Sequence, residues 1–63
     1  MSIVADQRQY AIAAIRLERE AYENAVEVAR YFVAITPSDP VPLLAALNAL
    51  TAATAAREAA LAL

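Results

Sequence analysis

The chain has 63 residues, a formal charge of −2 and a hydrophobic fraction of 62%, with eighteen Ala, five Arg and no Lys, His, Cys, Gly or Trp. This inventory supplies neither disulfides nor a zinc staple, and the interleaved Arg and acidic residues give no basic stripe for nucleic acid. A single domain of this size buries only about 60% of its unfolded surface even as a globule, so association is the remaining means of stabilising it.

The first residues, Met1-Ser2-Ile3-Val4-Ala5-Asp6, lack the positive n-region and long apolar core of a signal peptide. The expected location is the cytoplasm, or a recombinant or synthetic source. From about residue 2 to 36 no Pro or Gly interrupts the chain, and a first helix is expected over that stretch. Its polar residues Ser2, Asp6, Gln9, Arg16, Glu20, Glu23, Glu27 and Arg30 recur at alternating steps of four and three, with Ala13 filling one gap. That 3.5-residue period is the signature of a supercoiled bundle.

Opposite the polar stripe runs Val4, Gln7, Ala11, Ala14, Glu18, Ala21, Ala25, Val28, Phe32 and Ile35. Its middle is small enough to admit another backbone closely. Ile3, Tyr10, Leu17 and Tyr31 flank it on one side, and Ile15 and Tyr22 on the other. So wide an apolar arc implies more than one neighbouring helix. Glu20, Glu23 and Glu27 are placed to hold a metal only if ligands converge from other helices, usually with His, and there is no His. They read as a solvated face braced by pairs such as Arg16–Glu20 and Glu27–Arg30.

All three prolines fall within Pro37-Ser38-Asp39-Pro40-Val41-Pro42. The first helix must stop there, and Asp39 followed by Pro40 supplies the cap and first position of another. A turn over 37–39 and a second helix over about 40–62 make the whole chain, residues 1–63, one hairpin. The expected fold class is all-α: an antiparallel two-helix hairpin assembling into a helical bundle or helical oligomer.

The second helix is apolar nearly all round. Leu43, Leu47, Leu50, Thr54, Arg57 and Leu61 lie on one face, expected to meet the first helix. Ala45, Ala49, Ala52 and Ala56, with Ala46, Ala53, Ala59 and Ala60, form a face expected to meet a tightly packed neighbour. The stretch from Pro40 to Ala56 is uncharged but short, Ala-rich and interrupted by Asn48, Thr51 and Thr54, which argues against a membrane span.

In a hairpin turning near residue 38, residues at one height have numbers summing to about 76. Glu18 then meets Arg57, each the charged exception on its apolar face. Two arrangements satisfy them: an internal ion pair, or side chains that snorkel to a subunit rim. The same register lets Tyr22 reach Thr54 and Asn24 reach Thr51. Because the first helix is longer, residues before about Ala13 overhang their partner, and Ile3, Val4, Tyr10 and Ile12 are expected to dock on another chain.

Pro37-Ser38-Asp39-Pro40 followed by Leu43-Leu44-Ala45 resembles the interhelical turn of type III secretion needle subunits, a family of small polymerising helical hairpins. The match covers about nine residues. It departs by the extra Val41-Pro42, and the long polar C-terminal arm of that family has no counterpart. The turn also resembles the Ser-Asp-Pro helix starts of computationally designed bundles, as does the Ala/Leu/Glu/Arg style of Arg57-Glu58-Ala59-Ala60-Leu61. Against design, Asn48, Thr51 and Thr54 sit where a designer would place stronger helix formers.

Both resemblances imply one role, a self-associating structural module whose partner is another copy of itself. Designed oligomer and natural filament or virion subunit remain alternatives for its origin. Catalysis has no support, since no His or Lys stands beside a Ser, Thr or Tyr and no Gly-rich loop exists for phosphate. No cofactor, metal or small-molecule substrate is expected, and Tyr10, Tyr22 and Tyr31 read as interface residues before cavity linings.

Overall fold

The computed structural model describes the backbone of residues 3–62 and the side chains of 4–62. Two helices make up the fold, α1 (Ile3–Ile35) and α2 (Val41–Leu61). They pack against each other along α2's length as an antiparallel, all-α hairpin, about 50 Å long and 13–14 Å across. The long dimension is that of α1, whose 33 residues rise about 1.5 Å each.

The turn is built from local chemistry. Thr36 N–H donates to Phe32 O at 3.0 Å, closing the last turn of α1, and Thr36 itself takes a positive φ of 48°. This left-handed terminating position is usually filled by Gly, and a β-branched residue there is strained. Pro37 follows and prevents the helix from resuming.

The N-cap of α2 is Pro40 and not Asp39 as expected: Pro40 has helical angles (φ −84°, ψ −4°) and its carbonyl accepts the first regular bond of the helix, from Leu44 N–H at 3.0 Å, so Asp39 sits one residue earlier. Asp39 Oδ1 accepts from Val41 N–H at 3.0 Å and satisfies the first free donor. Pro40 and Pro42 fall where no intrahelical N–H is called for.

All the buried side chains among the described residues are alanines: Ala14 and Ala25 on α1, and Ala46, Ala53 and Ala60 on α2. On α1 they belong to the stripe Ala11, Ala14, Glu18, Ala21, Ala25, Val28 and Phe32, each buried or half-buried. On α2 they alternate with larger residues in Leu43, Ala46, Leu50, Ala53, Arg57 and Ala60. Both series step by threes and fours, as in an antiparallel coiled coil with small residues along its seam.

This seam corrects one expectation. Leu47 and Leu61 are not buried against α1; they are 44% and 54% exposed, and Ala46, Ala53 and Ala60 take the buried positions. The reason is size. Alanine on α2 facing alanine on α1 lets the backbones close up, and the leucines one position further round are turned outward.

Candidate association interface

A groove runs along each side of the seam. One is lined by Ile15, Glu18, Arg19, Tyr22, Leu50 and Thr54 and has a volume of about 450 Å³. The other, about 350 Å³, is lined only by Leu17, Ala21, Ala49, Ala52, Ala53 and Ala56. Both are open surface grooves. They differ on α2, where Leu50 and Thr54 border the first and four alanines the second; on α1 both are flanked by large residues, Ile15 and Tyr22 beside the first and Leu17 beside the second.

Charge crosses the seam at one place. Arg57 Nε donates to Glu18 Oε2 at 2.8 Å, with 34% of the Arg57 side chain and 24% of the Glu18 side chain still accessible. The two residue numbers sum to 75, one short of the register expected from the turn. The pair lies at the edge of the seam and opens into the first groove, so it is partly solvated. Half-solvated pairs of this kind contribute little net stability, on the order of 0–1 kcal/mol.

Tyr22 and Thr54 share the first groove, with Tyr22 59% exposed at its rim. The expected reach from Asn24 to Thr51 is not made. Thr51 Oγ1 donates instead to Leu47 O of its own helix at 3.0 Å, and Asn24 is exposed. A hydroxyl can bond back to the carbonyl one turn earlier, which also accepts the helical N–H, at no cost in chain ordering.

The structure brings together only some of the residues singled out from sequence. Ala49, Ala52 and Ala56 line one groove, with Ala45 exposed on the same side of α2. Val4, Tyr10 and Ile12 are 63%, 55% and 50% exposed, but they do not make a single patch. Val4 continues the seam stripe, Tyr10 follows the Leu17 flank and Ile12 the Ile15 flank. The side chain of Ile3 lies outside the described residues.

Ala11 is already half-buried, whereas every residue from Val4 to Tyr10 is exposed. With Glu18 level with Arg57, α2 ends at Leu61 near the height of Ala14, so the overhang begins about where the residue count places it and Ile12 lies at its edge. Sequence reasoning did not place Leu44 on any face and turned Leu47 and Leu61 towards α1, whereas the three are exposed by 53%, 44% and 54%. Their outward placement was signalled by the regular small–large alternation of α2, which assigns the seam to its alanines.

Among the described residues no helix is long and apolar enough to cross a membrane. Glu20, Glu23 and Glu27 are all exposed, and no three acidic side chains among the described residues are grouped to hold a metal ion. Comparison with protein-family models, with curated proteins and with solved structures gave no match to this chain. What the structure defines is a class of fold, the all-α helical hairpin.

Proposed function

We propose that this chain is a self-associating structural module without catalytic activity, whose partner is a further copy of itself. One observation carries the reading: among the described residues only alanines are fully buried, while thirteen large hydrophobic residues are exposed. The accessible surface is 4893 Å², where a compact monomer of this mass has about 3,900 Å². The excess, about 1,000 Å², is comparable to the roughly 800 Å² each partner contributes to a stable protein interface.

The chemistry points the same way. Glu18, the one acidic residue within the seam, is engaged by Arg57, and the grooves beside it are shallow and open. The reading supposes that apolar faces left bare by the hairpin are covered by other hairpins, as in a bundle or a helical oligomer.

Solution mass by light scattering across a dilution series, with circular dichroism on the same samples, tests this. The expected result is a mass of several chains at high concentration and a loss of helicity as that mass falls. A chain that stays helical and monomeric at every concentration overturns the proposal.

A further inference from the structure

We infer that two copies join by exchanging α2: the chain straightens at Thr36, and α2 of each copy packs on α1 of the other through the same seam that closes the single hairpin. This rests on the self-association proposed above and names the contact by which two copies join.

The hinge is held in a conformation its own residues disfavour. Thr36 is β-branched, sits at φ 48° and precedes Pro37. The branch makes a positive φ costly, and a following proline draws the residue before it to extended angles. Pro37 itself fixes a φ that suits an extended segment, and short hinges under strain favour exchange between copies. No Gly is present in the chain to take the reversal without cost.

Backbone strain persists only where the surroundings enforce it, and here they enforce little. Each hydrogen bond at the turn is local to one helix: Thr36 N–H donates to Phe32 O in α1, and Val41 N–H donates to Asp39 Oδ1 at the start of α2. Among the described residues the only hydrogen bond between the helices is that of Arg57 to Glu18, far along the seam from the turn. Moving Thr36 to extended angles therefore breaks no hydrogen bond of the turn. Extended, the segment 36–40 spans about 17 Å, more than the roughly 8–10 Å between packed helix axes, which is enough to carry α2 to a second α1.

The faces that meet are those the hairpin already displays. Exchange recreates the seam between chains, the contact of Arg57 with Glu18 included, and a two-fold pair closes on itself with neither seam left open. It also brings the two hinges together. Around each, Tyr31, Val33, Ile35, Val41 and Leu44 are exposed by 53% or more, so apolar surface that the single hairpin leaves in water stands where the second chain arrives.

Cysteine pairing tests the exchange in a chain that has no Cys of its own. Ala21 of α1 and Ala53 of α2 line one groove, and a chain carrying both Ala21→Cys and Ala53→Cys is oxidised at a concentration where the parent chain is associated. The expected product is two chains joined by 21–53 disulfides and separated by reduction. Single chains closed by their own disulfide, with no joined pair, overturn the exchange. Thr36→Gly alone, which leaves the seam untouched, is the second variant and decides the matter if the cysteines unfold the hairpin. It fits the left-handed position without strain and is expected to weaken association at least about tenfold, because two strained hinges no longer drive opening. Unchanged association of this variant overturns the exchange. In either case the self-association of the parent chain stands, whereas a monomeric parent chain removes both proposals.

Discussion

Residues 11–35 and residues 3–10 of α1 belong to one unbroken helix with one repeating pattern, yet only the first group has something to pack against. The stripe that becomes the seam at Ala11, Ala14, Glu18 and Ala21 continues without change through Val4 and Gln7, both exposed. The pattern therefore specifies a surface that is to be covered and is silent about what covers it. That is decided by α2, which ends at Leu61, opposite the neighbourhood of Ala14. Periodicity is a property of one helix, whereas burial is a property of two.

The widest separation between the two regions comes from substituting alanine. Ala53 is 5% exposed at the centre of the seam, and Ala53→Leu forces the backbones apart at a cost of about 1–3 kcal/mol. Thermal unfolding at fixed chain concentration is expected to fall accordingly. Ala5→Leu adds the same atoms to the exposed overhang and leaves the unfolding of the hairpin unchanged within about 0.5 kcal/mol. Equal effects at the two positions would mean that the overhang is as closely packed as the seam.

That contrast shows which parts of the fold were legible before the structure. The hairpin was, because three prolines in six residues can be accommodated only between helices or in the first turn of the second; that the cap is Pro40, with Asp39 accepting from Val41 N–H one residue before it, was not. That Glu18 and Arg57 stand at one height followed from counting residues away from the turn; that they bond to each other at a partly solvated edge did not. The orientation of α2 did not follow. A helix apolar on nearly every side has no hydrophobic direction, and the leucine face was assigned to α1 by bulk. Side-chain size along the seam, Leu43, Ala46, Leu50, Ala53, Arg57 and Ala60, decided the matter instead. Thr36 was equally hidden: with no Gly in the chain, nothing local distinguishes it as the left-handed residue.

A smaller effect sharpens the comparison from the closed end of the hairpin. Thr36→Gly relieves the strain of a β-branched residue at φ 48°, and is expected to raise stability by about 1 kcal/mol. The gain should appear in hydrogen exchange of the seam amides and leave those of the overhang unaltered, since the latter open without the turn opening. Protection gained equally along all of α1 would show that the overhang and the paired part unfold as one unit.

The smallest expected effect concerns what holds the two helices in register. Glu18 and Arg57 are the charged members of otherwise apolar or small-residue stripes, joined by a single hydrogen bond at 2.8 Å and accessible to water on one side. Removing either partner, as in Glu18→Gln or Arg57→Gln, leaves the other side chain able to turn towards solvent. A double-mutant cycle of these two changes is therefore expected to give a coupling of about 0.2–1 kcal/mol, reduced by added salt. A coupling of several kcal/mol, insensitive to salt, would mean that another chain covers the pair and excludes water from it. The same cycle then locates the assembly contact: repeated at a dilution where the chain is monomeric and at one where it is associated, it rises on association only if the neighbour closes the groove of Ile15, Tyr22 and Thr54.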